Sequence, residues 1–282
     1  MPSNFLKPIT ACIGQPVAEN PTQVMIEAAF ADLDLDWRYI TLEVGPNDLA
    51  AAIAGIRALG FAGFNCTIPH KVAVIEHLDS LGESAQTMQA VNCVVREGDR
   101  LVGENTDGKG FVRALAARRD PTGAEVTIIG AGGAARAIAV ELGLAGVSTI
   151  RIANRGRERL DQLRRLLDQS LPRLVVETVE IDGTYRVPPT TDILINATSV
   201  GLYPNIDERL PIELDAVPAS TIVADVVFNP TQTHLLQDAQ TLGCVTIDGL
   251  EMLIGQGVIG VEYWTGRTPN PDVMRRALLE VL

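Results

Sequence analysis

The sequence predicts an α/β protein with two domains, and three observations support this prediction. The chain has 282 residues, which corresponds to two domains at about 150 residues each. Short apolar runs alternate with longer amphipathic segments, a pattern typical of mostly parallel sheets whose strands are joined by helices. The breaker cluster at residues 120–123 interrupts this alternation, which then starts again.

In the first half of the chain, apolar runs predict strands and amphipathic runs predict helices. The predicted strands cover residues 10–13, 38–42, 63–67, 90–96 and 100–103. The last two form a hairpin, with Glu97, Gly98 and Asp99 as its turn. The predicted helices cover residues 22–33, 47–59 and 108–118.

The second half repeats the alternation more regularly. Its predicted strands cover residues 126–129, 149–153, 174–181, 192–196, 222–227 and 244–247. Its predicted helices cover residues 134–144, 157–167, 232–242, 250–264 and 272–282.

Composition and charge exclude several classes of function. The net charge of −12 argues against a nucleic-acid partner, because phosphate backbones need a basic surface. No apolar run approaches the roughly 20 residues of a membrane helix, and residues 1–9 lack the features of a signal peptide. The four cysteines form no CxxC or CxxH pair, which argues against structural zinc. We therefore expect a reduced, cytoplasmic protein without a metal, a membrane or a nucleic-acid partner.

The strongest local motif is a glycine-rich turn between an apolar strand and a helix. The turn reads Gly130-Ala131-Gly132-Gly133-Ala134-Ala135, which is a GxGxxA pattern. Gly130 permits a tight turn, Gly132 lets the backbone approach a pyrophosphate, and small Ala135 allows close packing of helix on strand. The helix amides would then face the phosphates. The motif predicts a dinucleotide site, although a tight turn without a ligand would give the same pattern.

The end of the next strand indicates which dinucleotide binds. NAD sites usually carry a carboxylate there for the ribose hydroxyl, but this strand ends in Asn154-Arg155-Gly156-Arg157. Arg155 and Arg157 suit a 2′-phosphate, with which a guanidinium can pair bidentately. The alternative is that both arginines are solvated side chains at a helix start. The sequence favours NADP, with NAD as the alternative.

Polar residues cluster after or within strands in the first half. They lie in three segments, 65–71 with its Pro69-His70-Lys71 step, 90–93, and 105–108. Taken singly, each has an ordinary structural explanation, such as a buried hydrogen-bonded asparagine or a helix cap. Together they supply an amine, a carboxylate, amides and hydroxyls, which suits a polyhydroxylated acid as substrate.

These segments, in this order, resemble the shikimate/quinate dehydrogenase family over nearly the whole chain. The matching segments are 14–16, 65–71, 90–92, 105–111, 130–136, 154–155, 196–201, 229–236 and 248–256. The resemblance implies two α/β domains around a cleft, a substrate domain with a mixed sheet and an NAD(P)-binding Rossmann-like domain. The first would comprise residues 1–106 plus 248–282 and the second residues 107–247. It also implies reversible, metal-free hydride transfer between NADP and a ring hydroxyl of a small cyclitol carboxylate, by a monomer or homodimer.

The resemblance also assigns roles to individual residues. Lys71 and Asp107 match the catalytic pair, in which the lysine exchanges the hydroxyl proton and the aspartate orients it. The residues implied for the substrate are Asn20, Thr22, Asn65, Thr67, Asn92, Phe228 and Gln256. Those implied for the cofactor are Gly130, Gly132, Gly133, Ala134, Asn154, Arg155, Arg157, Thr198, Ser199 and Val226.

Two departures from the family pattern bring the substrate into question. The family usually has two serines, or serine and threonine, for the substrate carboxylate, and here Asn20 and Thr22 occupy those positions. Phe228 replaces a common tyrosine and lacks its phenol. The leading hypothesis is a shikimate dehydrogenase. The alternatives are a paralogue acting on quinate or an amino-substituted cyclitol acid, possibly with NAD, and a non-catalytic module that senses nucleotide or cyclitol.

Overall fold

The computed structural model describes residues 5–282, which form two compact units. The split unit combines the described residues up to Thr106 with Gln256–Leu282. The continuous unit is Asp107–Gly255. The α/β prediction is confirmed in both. The division at 255/256 falls inside a helix, whereas the sequence-based boundary lies at 247/248.

The split unit is built on six strands. These are β1 (Ile9–Gly14), β2 (Arg38–Glu43), β3 (Gly63–Cys66), β4 (Ser80–Leu81), β5 (Cys93–Glu97) and β6 (Arg100–Glu104). Its helices before residue 106 are α1 (Thr22–Asp32), α2 (Leu49–Ala58), α3 (His70–Ala73) and α4 (Glu83–Met88), with 3₁₀ turns at Pro46–Asp48 and Val74–His77. Elements α3, α4 and β4 are not predicted by the sequence, because elements of two to six residues are too short to show a period.

The sheet of the split unit is mixed, in the order β2-β1-β3-β5-β6-β4. Strands β2, β1 and β3 are parallel, whereas β5 is antiparallel to both β3 and β6. The predicted hairpin is confirmed: Glu97 pairs with Arg100, and Gly98 supplies the positive φ of +63° that the turn requires. The parallel part of the sheet places the ends of β1 and β3 at one edge.

The continuous unit contains eight strands and four helices, and the helix α9 begins within it. The strands are β7 (Glu125–Ile129), β8 (Thr149–Asn154), β9 (Val175–Glu180), β10 (Tyr185–Arg186), β11 (Ile193–Asn196), β12 (Ile212–Glu213), β13 (Ile222–Asp225) and β14 (Val245–Ile247). The helices are α5 (Asp107–Ala116), α6 (Gly133–Leu144), α7 (Arg157–Ser170), α8 (His234–Thr241) and α9 (Gly249–Thr265). The chain ends with α10 (Pro271–Leu279), in the split unit.

The main sheet of the continuous unit is entirely parallel, in the order β14-β13-β11-β7-β8-β9. Strands β11 and β13 are buried along their whole length, as expected for strands covered on both faces. The chain runs outward from β7 to β8 and β9, then returns to β11 on the other side of β7. Such a reversal opens a crevice at the carboxyl ends of the strands, where α/β proteins bind ligands.

The C-terminal segment completes the core of the split unit. The indole of Trp264 donates a hydrogen bond to the carbonyl of Val94 (3.0 Å) and lies against Gly63, where a side chain would collide with it. Asn270 caps α10 through a bond from the amide of Asp272 (2.9 Å), and Pro271 follows at the first helical position. Residues from both ends of the chain therefore build one core.

Candidate active site

The carboxamide of Asn65 is held from two sides in the split unit. The hydroxyl of Tyr39 in β2 donates to Oδ1 of Asn65 (2.7 Å). Nδ2 of Asn65 donates to the backbone carbonyl of Asn92 (3.0 Å). Because a carbonyl only accepts hydrogen bonds, this contact shows that the NH₂ group of Asn65 faces Asn92 and that its oxygen faces Tyr39. Asn65 retains one N–H and one lone pair for a ligand.

Asn92 continues this network beyond Asn65. Its Nδ2 donates to the hydroxyl of Thr106 (3.0 Å), and the backbone amide of Thr106 donates to its Oδ1 (2.7 Å). The Thr106 hydroxyl in turn lies 3.5 Å from Oε1 of Gln256 in α9. Asn65, Asn92 and Gln256 are all buried. The structure therefore brings three of the sequence-predicted substrate residues into one hydrogen-bonded chain.

Lys71 lies one turn after β3, in the short helix α3. Its backbone carbonyl accepts a hydrogen bond from the amide of Val91 (2.7 Å), which precedes Asn92. The turn before it is fixed by Thr67, whose amide bonds to Ile13 (3.0 Å) and whose carbonyl accepts from His70 (2.8 Å). The buried imidazole of His70 bonds through Nε2 to the carbonyl of Val44 (2.7 Å). These bonds make His70 structural and hold Lys71 at the edge of the sheet that carries Asn65.

Asn20 and Thr22 precede and begin helix α1. Oδ1 of Asn20 accepts from the amide of Thr22 (2.9 Å), and its Nδ2 lies 3.7 Å from Sγ of Cys12. Burial raises the pKa of the Cys12 thiol to about 11, so the thiol stays neutral beside this amide. Oδ1 of Asn20 is therefore engaged in the turn that leads into helix α1, and Thr22 is buried.

The glycine-rich turn connects β7 and α6 in the continuous unit. Gly130 has a φ of +111°, and a Cβ there would lie 2.9 Å from both the carbonyl oxygen of Ala197 and Cγ2 of Thr198. Gly132 precedes the first helical residue, Gly133, and a Cβ at either position would meet no heavy atom within 4 Å. Ala134 is half-buried and Ala135 fully buried against the unit's core. An open space over unbonded helix amides fits a pyrophosphate.

The two arginines after β8 differ in their surroundings. Arg157 forms ion pairs with Asp161 (3.6 Å) and Glu180 (3.8 Å). Arg155 is exposed, and among residues 5–282 no carboxylate lies within ion-pair distance of it. Asn154 donates to the carbonyl of Gly156 (3.0 Å) and so shapes the turn between them. The structure leaves Arg155 available for an anion such as a 2′-phosphate.

The loop after β11 is ordered by its own side chains. Oδ1 of Asn196 accepts from both the amide (3.0 Å) and the hydroxyl (2.7 Å) of Thr198, and that hydroxyl accepts from the amide of Val200 (3.1 Å). Ser199 is exposed at the tip. The amide of Val226, just after β13, donates to the carbonyl of Asn196 (3.0 Å). Thr198, Ser199 and Val226 therefore all lie at the carboxyl edge of the parallel sheet.

The remaining predicted site residues of the continuous unit are Asp107 and Phe228. Asp107 is the first residue of α5, directly after Thr106 in the chain. Helix α5 packs closely on α6, because the Cα of Gly108 faces the backbone of Ala137. Phe228 is half-buried and lies two residues after Val226.

Three polar residues of these networks were not predicted as site residues: Tyr39, Asp225 and Thr233. Thr106 lies in the predicted polar segment 105–108 but was given no role of its own. Asp225 carried a usable signal, since a carboxylate at the end of an otherwise apolar buried strand needs partners. Nothing in the sequence indicated a site role for Tyr39, because aromatic residues are common in strands.

The structure shows neither a metal cluster nor a membrane-spanning helix in the part of the chain that it describes. No group of three His, Cys, Asp or Glu side chains within residues 5–282 could hold a metal ion. None of the helices in that range is long and apolar enough to cross a membrane.

Comparison with known proteins identifies the family. Residues 12–94 match the shikimate dehydrogenase substrate binding domain, residues 114–204 match the shikimate / quinate 5-dehydrogenase family, and residues 249–279 match the shikimate 5′-dehydrogenase C-terminal domain. The NADP-dependent shikimate dehydrogenase of Shouchella clausii is 41% identical over 269 residues, covering 94% of this chain and 96% of that protein.

Two solved structures are similar along the whole chain. The ligand-free 5-ketofructose reductase of Gluconobacter sp. strain CHM43 is 46% identical, with a TM-score of 0.96, covering 99% of this chain and 100% of that one. The shikimate 5-dehydrogenase of Thermus thermophilus, in complex with NADP(H) and shikimate, is 31% identical, with a TM-score of 0.83, covering 98% and 100%. These matches confirm the resemblance found in the sequence: the chain belongs to the shikimate/quinate dehydrogenase family.

Proposed function

We propose that this protein is an NADP-dependent oxidoreductase that interconverts shikimate and 3-dehydroshikimate. The observation that carries this proposal is the similarity, over nearly the full length, to NADP-dependent shikimate dehydrogenases. The presence of both Lys71 and Asp107 supports a catalytic role over a sensing one, because a sensor needs no group that exchanges protons.

Lys71 is the proposed acid and base. In reduction its ammonium gives a proton to the ketone oxygen, and in oxidation its amine takes the proton back from the hydroxyl. NADPH, when bound, supplies the hydride. Asp107 is proposed to hydrogen-bond the same hydroxyl and to orient the lysine. Asn65, Thr67, Asn92 and Gln256 are proposed to bind the other ring hydroxyls, which fits the free donor and acceptor left on Asn65.

The cofactor is proposed to lie along the carboxyl edge of the parallel sheet. The amides of Gly132, Gly133 and Ala134 would hold its pyrophosphate, and Gly130 leaves the turn tight enough for this. Asn154 and Arg155 would bind the 2′-phosphate, with Arg157 contributing less because it is paired with two carboxylates. Thr198, Ser199 and Val226 would border the nicotinamide.

A second candidate substrate is an uncharged polyhydroxylated ketone. The chain is 46% identical to a 5-ketofructose reductase, and 41% identical to the shikimate dehydrogenase of Shouchella clausii. The positions implied for the substrate carboxylate hold Asn20, whose Oδ1 accepts from the amide of Thr22, and Thr22, which is buried. A neutral ketose would not need two hydroxyls for a carboxylate. Phe228, which lacks a phenol, fits this candidate as well.

Steady-state kinetics with a substrate panel tests both candidates. NADPH consumption would be measured with 3-dehydroshikimate and 5-ketofructose, and NADP reduction with shikimate and quinate, each repeated with NAD(H). The highest kcat/KM with 3-dehydroshikimate would support the proposal. A kcat/KM at least tenfold higher with 5-ketofructose would replace it with the second candidate. No turnover on any of them, with NADP still binding, would contradict both.

The double variant Asn20→Ser/Phe228→Tyr adds a further test. It restores the side chains usual in the family. If shikimate is the substrate, we expect kcat/KM for shikimate to stay or rise. If a neutral ketose is the substrate, activity on the ketose should fall while shikimate activity appears. The expected cytoplasmic monomer or homodimer stays a prediction, and light scattering during gel filtration tests its oligomeric part.

A further inference from the structure

Asp225 is a buried carboxylate that none of the roles proposed above uses. It ends strand β13, is 2% exposed, and follows Ile222, Val223 and Ala224, which are all buried. Burying a carboxylate is costly unless hydrogen bonds replace its water. Burial raises its pKa to about 6 although three bonds oppose that shift. The cost of burying this carboxylate indicates that its hydrogen bonds serve a purpose in the fold.

The partners of Asp225 lie at three places in the chain: the end of β11, the segment after β13, and the residue before α8. Oδ1 accepts from Nδ2 of Asn196 (2.9 Å) and from the backbone amide of Val227 (2.9 Å). Oδ2 accepts from the hydroxyl of Thr233 (2.7 Å). Thr233 is also the N-cap of α8, where its oxygen accepts from the amide of Leu236 (3.4 Å). One carboxylate therefore ties the ends of β11 and β13 to the start of α8.

The sheet places Asn196 and Asp225 opposite each other. They are register partners at the carboxyl ends of the neighbouring parallel strands β11 and β13. An ionised carboxylate only accepts hydrogen bonds, so it must face the NH₂ end of the Asn196 amide. The oxygen of Asn196 is then directed at Thr198, whose amide and hydroxyl it receives. If this amide were flipped, its NH₂ group would face the N–H of Thr198.

We propose that Asp225 is a positioning residue for the two loops that border the nicotinamide, 196–201 and 226–228. It acts on the first loop through the orientation of Asn196 and on the second through the amide of Val227. This inference rests on the proposed function, because the assignment of these loops to the nicotinamide does. It adds that a single buried carboxylate sets the geometry of both.

The test compares Asp225→Ala with Asp225→Asn. Alanine removes every contact, whereas asparagine keeps an oxygen that can accept from Asn196 and Val227. Hydrogen exchange of the ligand-free protein is followed at the amides of Thr198 and Val200. We expect exchange at both amides to be about tenfold faster in Asp225→Ala and near the wild-type rate in Asp225→Asn. Wild-type exchange in Asp225→Ala would overturn the proposal, as would equal loosening in both variants.

Kinetics supply a second readout that mere loss of stability would not give. We expect kcat in Asp225→Ala to fall about tenfold or more, because small misplacement of the reacting groups is costly. The Kd for NADP, measured by calorimetry, should rise less than about threefold, since the pyrophosphate site is elsewhere. An unchanged kcat would overturn the proposal. The exchange and calorimetry experiments need no substrate, so they remain decisive if the substrate assignment fails.

Asp192→Asn is the matched control. Asp192 also accepts a backbone amide bond, from Glu125 (2.9 Å), but it lies at the amino edge of the same sheet and pairs with Arg119 (2.9 Å). The Asp192→Asn substitution should leave hydrogen exchange at the amides of Thr198 and Val200 unchanged. If Asp225→Ala does not fold, the Asn196→Ala substitution tests the same network, because it removes the side chain through which Asp225 acts on loop 196–201. Fast exchange at Val200 with a protected Val227 amide would support the network, and a protected Val200 would contradict it.

Discussion

Each unit contains a buried hydrogen-bond network. In the split unit the network consists of amide and hydroxyl groups, whereas in the continuous unit Asn196, Val227 and Thr233 all donate to the carboxylate of Asp225. The first network runs through Tyr39, Asn65, Asn92, Thr106 and Gln256 and contains no formal charge. Its amides are oriented by backbone groups, the carbonyl of Asn92 and the amide of Thr106. In the second, an anion orients Asn196. We therefore expect the first network to ignore pH and the second to respond to it.

The largest effect is expected from Lys71→Met in the split unit. Loss of the proton donor should lower kcat by about 10²–10⁴-fold, the usual contribution of general acid–base catalysis. The Kd for NADP should not change, because the proposed cofactor residues belong to the continuous unit. Stopped assays with the preferred substrate measure the first quantity and calorimetry the second. A loss of kcat below tenfold would remove Lys71 from the proposed chemistry.

The pH dependence of stability should separate the two networks. The pKa of Asp225 is raised from 3.8 to about 6, so the folded state binds a proton more tightly than the unfolded state. The free energy of unfolding therefore falls as pH rises through this window, by up to about 3 kcal/mol relative to Asp225→Asn. Its direct partners, Asn196, Thr233 and the amide of Val227, do not titrate. Urea unfolding of both proteins at pH 4 and pH 7 measures the difference.

Two results would show that the comparison is wrong. Parallel stability curves for the wild type and Asp225→Asn would mean that the carboxylate does not titrate in this range. A curve for Tyr39→Phe that diverges from the wild type between pH 4 and pH 7 would mean that the uncharged network responds to pH after all.

Gly130→Ala tests the backbone part of the cofactor site. A φ of +111° is strained for any side chain, and the new Cβ would press on Ala197 and Thr198. We expect the free energy of unfolding to drop by about 1–3 kcal/mol and NADP binding to weaken. Gly133→Ala is the control, because its Cβ enters open space in the ligand-free protein. It should weaken NADP binding without loss of stability, and equal stability losses would refute this difference.

Arg155→Gln and Arg157→Gln compare two neighbouring guanidinium groups. Arg155 has no carboxylate partner within the described residues, whereas Arg157 pairs with Asp161 and Glu180. We expect Arg155→Gln to raise the KM for NADPH about tenfold and to leave the KM for NADH unchanged. The same change at Arg157 should have a smaller effect. If both variants kept the wild-type preference for NADPH, the proposed 2′-phosphate site would be wrong.

The smallest effect is expected from Tyr39→Phe. The variant removes one buried hydrogen bond to Asn65, which contributes about 1 kcal/mol. Asn65 keeps its bond to the carbonyl of Asn92, so its amide should not flip. We expect the KM for the substrate to rise a few fold with little change in kcat. A large fall in kcat would mean that Tyr39 takes part in the reaction more directly.

The parts of the molecule that depend on backbone geometry were the most predictable. The glycine turn and the hairpin at 97–99 follow from local requirements on φ that only a few residues meet. The long elements follow from hydrophobic period, which is why the α/β class was predicted correctly. The bond between Asn20 and Thr22 was not apparent from the sequence, because an asparagine can bind a ligand or close a local turn with the same atoms.

The side-chain networks were not predictable for a different physical reason. Tyr39 and Asn65 are 26 residues apart, and Asn196 and Asp225 are 29 apart. Their contacts depend on strand order and register, which the sequence of either strand alone does not contain. Arg155 and Arg157 looked equivalent in sequence because the carboxylate of Glu180 arrives from β9.

The participation of α9 and α10 in the split unit has a consequence for the order in which the chain matures during synthesis. The continuous unit is contiguous, so all its contacts become available once Gly255 has been made. The split unit must wait for Gln256, Trp264 and α10, although most of its sequence is translated first. Domains usually fold from the N-terminus onward. Here the later-made continuous unit should fold first on the ribosome. The contacts of Val94 and Gly63 with Trp264 can form only after Trp264 has left the ribosome.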